Sequence, residues 1–195
     1  MRKWLVPGII VFFIVILYFW AKGINNTAVE MDQASQEAWG NVQTSYQRRN
    51  DLIGNLVNTV KGAADFEKST LEAVVKARSE ATKTTIDPSN ITPEQLAEFN
   101  KAQSGVSSAL SRLLVTVEQY PDLKANQNFL KLQDELASTE NQILTARTRF
   151  NESVKGYNSH IKKFPNSVFA GMFGFKEKAF FNAVEGAEKP VEVKF

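Results

Sequence analysis

A few charged side chains occupy positions where a helical bundle normally buries apolar ones. Glu67 continues a seven-residue series of mostly apolar residues, and Glu140 and Arg147 lie seven residues apart on either side of Ile143. Two arrangements fit such residues: a carboxylate metal site inside a bundle, or a network of ion pairs between helices. Further polar residues lie near similar faces: Arg48, Asn55, Arg78, Asn151 and Asn158.

A metal site needs ligands that this sequence lacks. Di-iron bundles use two Glu-x-x-His motifs on facing helices, whereas the single histidine, His160, stands outside such a motif. Burying an unpaired charge is strongly unfavourable. We therefore expect a structural network in which Glu67 pairs with Arg147 or Arg78 and Glu140 pairs with an arginine of the first helix. No metal or cofactor is expected.

Signatures of other chemistries are also missing from the sequence. It contains no phosphate-binding loop, no G-x-S-x-G, no H-E-x-x-H and no kinase signature. There are no cysteines, which excludes disulfides and cysteine nucleophiles. The net charge is +2, without a basic run of five residues, so nucleic-acid binding is not expected. The sequence predicts a protein that is not an enzyme.

The N-terminal region contains one uninterrupted apolar run. Residues 4–21 carry no charge, and a helix of this length spans about 27 Å, close to the hydrocarbon thickness of a bilayer. Trp4 at one end, with Tyr18 and Trp20 at the other, fits aromatic belts at the two membrane interfaces. The run is longer than the apolar core of a secretory signal peptide. This length favours a retained transmembrane helix over a cleaved signal.

The charges around this run indicate an orientation. A short basic N-terminus, residues 1–3, precedes the run with Arg2 and Lys3, whereas only Lys22 follows it before the first acidic residues. The positive-inside rule therefore predicts a single-pass protein of the cell (inner) membrane, with a cytoplasmic N-terminus. The remainder of the chain is expected outside the cytoplasm.

Residues 25–185 carry the periodicity of long helices. Seven residues at intervals of seven predict one helix over about 26–84, built to pack lengthwise: Trp39, Tyr46, Ile53, Val60, Glu67, Val74 and Ala81. Thr92, Pro93 and Gln95 then form the capping box of a second helix, which ends at Tyr120-Pro121.

A third long helix is predicted from Asp122, as its cap, to Pro165. The polar window YPDLKANQNF at 120–129 is then a corner rather than a catalytic site. Residues 166–181 predict a short fourth helix or an amphipathic turn, and residues 186–195 an extended tail.

The fold class is all-α: a transmembrane helix followed by an antiparallel up-and-down bundle of three long helices and one short one. Sustained heptads also make a homo-oligomer plausible.

The C-terminal part is rich in phenylalanine, with seven of the fourteen in the last 32 residues. A short helix cannot hide all of them on one narrow bundle face. They either cap the end of the core or contact a partner, and the candidates for partner binding are Phe169, Phe173, Phe175, Phe180 and Phe181.

Three stretches resemble the LemA family of bacterial membrane proteins. They read RRNDLIGNLVNTVKGAADFEKSTLEAVVKAR at 48–78, LLVTVEQYPDLKANQNFLKLQDELASTENQILTARTRFNESVKGYN at 113–158, and FPNSVFA at 164–170. The resemblance covers essentially the whole chain. Gly54 departs from it, because family members usually have proline there. The resemblance implies a helical bundle on one membrane span, without an established enzymatic activity and without catalytic residues to carry over.

Two functions fit these observations. The first is a non-catalytic, membrane-anchored scaffold of the cell envelope that organises itself or other proteins. The second is a monomeric adaptor that presents the aromatic C-terminal segment to a membrane-bound partner, such as a protease or a transporter. Loss of partner binding on deletion of residues 166–195, with the bundle intact, would favour the adaptor.

Overall fold

The computed structural model describes residues 5–62 and 66–182. Its helices, in chain order, are α1 (Leu5–Lys61), α2 (Lys68–Lys83), α3 (Pro93–Val117), α4 (Pro121–Lys124), α5 (Gln127–Lys162) and α6 (Asn166–Phe173). These residues contain no strand. The predicted all-α fold, with an apolar N-terminal helix followed by further helices, is confirmed over these residues. Trp4 and the tail at 186–195 lie outside the described residues.

α1 is one helix of 57 residues, about 85 Å long. It does not end with the apolar run at residue 21 but continues into the bundle. Side chains from Ile9 to Trp20 are all exposed, whereas Ile24 and Ala28 begin a buried face. α1 carries the one helical stretch in the described part of the chain that is long and apolar enough to cross a membrane.

The predicted single helix over 26–84 is wrong. α1 ends at Lys61, and α2 runs back beside it, so that Arg78 of α2 forms an ion pair with Asp51 of α1. Gly62, a poor helix former, follows α1, and Glu67 adopts an extended backbone conformation as the N-cap of α2. The bundle therefore has four helices, α1, α2, α3 and α5, in place of the three long ones predicted.

The connection between α3 and α5 is a compact corner, as the window at 120–129 predicts. Its caps differ from the predicted ones, because Asp122 lies inside the one-turn helix α4 and Asn126 caps α5. The Asn126 side chain accepts hydrogen bonds from the N–H groups of Asn128 (2.9 Å) and Phe129 (3.2 Å). The capping box of α3 is present as predicted, because Thr92 and Gln95 bond each other's backbone N–H.

The hydrophobic core changes composition along the bundle. In the half far from the apolar run, called the distal half here, buried residues come from α1, α2, α3, α4 and α5. In the proximal half, nearer to that run, α2 contributes none of the buried residues. Its place is taken by loop residues Ile86 and Ile91 and by Phe181, which stacks on Trp39 with ring centroids 5.9 Å apart.

Phe181 belongs to a non-helical segment, residues 174–182, called the strap here. The predicted fourth helix is thus shorter than expected, since α6 ends at Phe173. Gly174 has φ of 80°, in the left-handed region that favours glycine. The Phe175 N–H donates to the Ala170 carbonyl (3.0 Å), which closes the helix end. The strap then continues along α5, to which its backbone is hydrogen-bonded at Lys178 and Phe181.

Candidate functional site

The first polar cluster is centred on Arg49 of α1, whose side chain is 2% exposed. Its guanidinium forms an ion pair with Glu140 of α5 (3.1 Å) and donates to Ser107 Oγ of α3 (3.3 Å) and to the side-chain oxygen of Gln103. It also lies over the ring of Tyr46, 4.9 Å from the centroid. One side chain of α1 is therefore hydrogen-bonded to both α3 and α5.

Arg147 of α5 is a second arginine close to Tyr46. Its guanidinium lies over the Phe181 ring at 4.3 Å from the centroid. Burial raises the pKa of Tyr46, whereas the positive charges of Arg147 and Arg49 oppose that rise. The tyrosine therefore remains a neutral hydrogen-bonding group at neutral pH.

The structure does not bring the four predicted network residues together. Glu140 pairs with Arg49, but Glu67 is exposed at the start of α2 and accepts a hydrogen bond from its neighbour Ser69 (2.5 Å). The proposed pairing of Glu67 with an arginine is thus wrong for the described residues, because the chain reverses at this point. Arg78 is 40% exposed and lies 3.9 Å from Asp51. Its guanidinium lies against Gly54, where a Cβ would come within 3.1 Å of it.

Two asparagines of α5, seven residues apart, clamp the strap. The Asn151 amide donates to the Phe181 carbonyl (2.9 Å) and accepts from the Phe181 N–H (2.8 Å). Asn158 forms the same pair of bonds with the backbone of Lys178, at 2.8 and 3.0 Å. Each amide side chain thereby satisfies one backbone N–H group and one backbone carbonyl of the non-helical strap. The strap is held in register on α5.

Two further hydrogen bonds support the strap. The Tyr157 hydroxyl donates to the Lys176 carbonyl (2.9 Å), and the Ala179 N–H donates to the carbonyl of Ile91 (3.0 Å). Burial raises the pKa of Tyr157, and the nearby Asp32 carboxylate raises it further. The phenol therefore stays protonated and keeps its bond to the strap at neutral pH.

The second buried cation is Lys178 of the strap, whose side chain is 3% exposed. Its ammonium group contacts the Asp32 carboxylate (2.6 Å) and donates to Ser35 Oγ (2.8 Å) and to the Pro88 carbonyl (3.0 Å). All three donors of the ammonium group thus have partners. Lys178 ties the strap to α1 and to the loop between α2 and α3.

The five phenylalanines predicted to bind a partner differ in exposure: some are buried in the fold and others are exposed. Phe181 is 5% exposed and is a core residue, so its assignment to partner binding is wrong. Phe169 and Phe175 are half-buried, Phe175 packing against the small cluster of Ala28 and its neighbours. Phe173 and Phe180 are exposed, as are Phe164, Val168 and Met172 before and within α6.

The predicted membrane-interface residues that the structure describes lie where the apolar run meets the bundle. Tyr18 is exposed, and Trp20 contacts Phe169 of α6 with ring centroids 6.1 Å apart. Nearby, His160 Nε2 lies 3.2 Å from the Ile24 carbonyl oxygen, where α5 ends. This end of the bundle therefore packs around α1 directly beyond its apolar part.

These clusters position helices and the strap. Residues 5–62 and 66–182 contain no group of three or more histidine, cysteine, aspartate or glutamate side chains that could hold a metal ion. Arg49 and Lys178 are the two buried cations at the centres of these clusters. Arg49 pairs with Glu140 of α5, and Lys178 pairs with Asp32 of α1. Neither residue was singled out by the sequence.

The chain is similar in sequence to known magnetosome and LemA proteins. Magnetosome protein MamQ 2 of Paramagnetospirillum magneticum is 28% identical over 183 residues, covering 85% of this chain and 67% of that protein. Magnetosome protein MamQ of Magnetospirillum gryphiswaldense has the same identity and coverage. Protein LemA of Metamycoplasma hominis is 28% identical over 179 residues, covering 90% of this chain and 78% of that protein. The family model described as LemA family matches residues 38–195, and the chain belongs to this family.

Proposed function

We propose that the protein is a non-catalytic, membrane-anchored scaffold of the cell envelope, which organises itself or other proteins at the bilayer. The observation that carries this proposal is the continuity of α1. One helix supplies both an exposed apolar segment of membrane-spanning length and the buried face of the bundle. A hinge between anchor and bundle would let the bundle move freely, whereas a continuous helix fixes its position relative to the membrane.

The buried polar residues support a structural role. Arg49 and Lys178 are surrounded by partners from several elements, which fixes helix register. The two asparagine clamps hold the strap in the same way. Such groups stabilise one arrangement of the bundle. They support a rigid body on the membrane, oriented outside the cytoplasm as the N-terminal charges indicate.

The mass of the purified protein tests whether this scaffold assembles with itself. The full-length chain would be studied in mild detergent beside a control that begins at Asn25 and lacks the apolar run. We expect a defined high-order assembly of the full-length chain by light scattering, because the exposed apolar helix and the long bundle both offer lengthwise contacts. Monomeric full-length protein would contradict self-assembly.

The alternative function, an adaptor, would have a smaller exposed aromatic surface for binding a partner than the sequence indicates. It requires the aromatic segment to face a partner protein, but Phe181 is in the core and Phe175 is half-buried. What remains exposed is Phe180 and a group on and before α6. The position of that group favours a different occupant.

A further inference from the structure

The exposed apolar residues of α6 form one face. At about 100° per residue, the exposed residues Val168, Met172 and Phe173 fall within an arc of about 140°. The half-buried Phe169 lies inside this arc, and Ala170 lies outside it. Ala170 is 3% exposed and packs on Tyr157 and its neighbours in the bundle. Val168 is 54% exposed, Met172 76% and Phe173 46%. One side of α6 therefore packs against the bundle, and another side exposes apolar side chains.

The uncovered side lies at the level where the apolar run of α1 ends. Phe169, inside the apolar arc, contacts Trp20, the last aromatic residue of that run. When α1 crosses a bilayer, Trp20 and Tyr18 lie near the boundary between hydrocarbon and headgroups. The arc of α6 therefore faces the same boundary. Phe164, 85% exposed just before α6, extends the apolar surface.

Most charged side chains in the segments that flank α6 are lysines. Residues 154–176 contain four lysines, Lys155, Lys162, Lys163 and Lys176, and no aspartate or glutamate. Lys162 pairs with Glu177 (3.0 Å), whereas Lys163 and Lys176 are exposed. Lys22 is exposed directly after the apolar run of α1. Lysines beside an apolar helical face can extend to headgroup phosphates while the face enters the interface.

We propose that α6 and Phe164 form a second membrane contact, lying in the interfacial layer of the bilayer that α1 crosses. Val168, Met172 and Phe173 enter the boundary between headgroups and acyl chains, and the nearby lysines bind anionic headgroups. The exposed aromatic surface is thereby occupied by lipid instead of a partner protein. The proposal rests on α1 crossing the membrane, as the proposed function does, and not on self-assembly.

Fluorescent labels at single cysteines test this contact, since the chain has no cysteine of its own. Full-length Met172→Cys, labelled with an environment-sensitive fluorophore, would be reconstituted into vesicles of phosphatidylcholine and phosphatidylglycerol. Met172 is highly exposed, so the substitution leaves the bundle intact. Phe13→Cys reports insertion of α1, and Leu144→Cys, 64% exposed on α5, serves as the control remote from the membrane.

We expect the Met172→Cys label to emit at shorter wavelength than the Leu144→Cys label. Quenchers attached near the lipid headgroup should remove most of its emission, and quenchers deep in the acyl chain should act mainly on the Phe13→Cys label. A Met172→Cys label that only aqueous iodide quenches, beside a lipid-quenched Phe13→Cys label, would overturn the proposal and leave a partner protein as the occupant. Water exposure at Phe13→Cys would overturn the membrane anchor itself.

Discussion

Replacing Lys178 with methionine should lower the free energy of unfolding by about 3 kcal/mol, because it removes one partner of a buried ion pair. The substitution leaves the Asp32 carboxylate, Ser35 Oγ and the Pro88 carbonyl without the ammonium group that contacts them. Urea unfolding in mild detergent, followed by circular dichroism, measures the loss. Hydrogen exchange should also accelerate at the amides of Ala179 and Phe181, because the strap loses its tie to α1.

Lys176→Met is the matched control for this prediction. Lys176 lies two residues earlier in the same strap, but its side chain is exposed, and Tyr157 bonds its backbone carbonyl rather than its side chain. Its replacement should change the free energy of unfolding by less than about 0.5 kcal/mol. Equal stability of the two variants would show that Lys178 does not hold the strap.

Replacing Trp39 with alanine should destabilise the protein by about 4 kcal/mol, in the range for removing a large buried aromatic side chain. The Trp39 side chain is fully buried, and its ring packs against those of Phe99 (5.4 Å), Phe150 (5.3 Å) and Phe181 (5.9 Å). The cavity would open where α1, α3, α5 and the strap meet, so these elements should loosen together. The same unfolding measurement gives the magnitude.

The control for Trp39 is Leu144→Ala on α5, which also shortens a large apolar side chain. Leu144 is 64% exposed, so we expect a change within about 0.5 kcal/mol. A Trp39→Ala variant as stable as Leu144→Ala would mean that the proximal core, with the strap in it, is not the stabilising contact described here.

The helices were predictable from the sequence because their apolar spacing and caps are local signals. The capping box of Thr92 and Gln95 correctly predicted the start of α3. The apolar run at residues 4–21 predicted the exposed part of α1. The reversal after Lys61 was missed because Val74 and Ala81 of α2 continue the seven-residue register of Val60. Apolar periodicity shows that one face of a segment is buried. It does not show whether that face belongs to one continuous helix or to two helices separated by a turn.

The polar clusters were only partly predictable. Arg49 was visible in principle, because it lies three residues after Tyr46 and four before Ile53, in the same seam of α1. Lys178 gave no such signal, because it lies in a non-helical strap without periodicity. Asn151 and Asn158 were recognised as close to a packing face, but their function as clamps depends on a segment about twenty to thirty residues away in the chain.

In the proposed scaffold, one end of the helical bundle lies next to the bilayer. α1 passes from its exposed apolar run into the proximal core without interruption. α5 ends beside Ile24, and α6 packs between this end and Trp20. The strap then returns into the core, with Lys178 and Phe181 buried. If α1 crosses the membrane as proposed, the position of the bundle relative to the membrane depends on the rigidity of α1.

A distance measurement along α1 tests this central claim most directly. Ile16→Cys and Thr44→Cys place spin labels on exposed positions, 28 residues apart, within and beyond the apolar run. In lipid nanodiscs, pulsed electron resonance should give one narrow distribution near about 42 Å, the length of an uninterrupted helix. A broad distribution, or a distance well below this value, would show a hinge between anchor and bundle and contradict the account of a fixed scaffold.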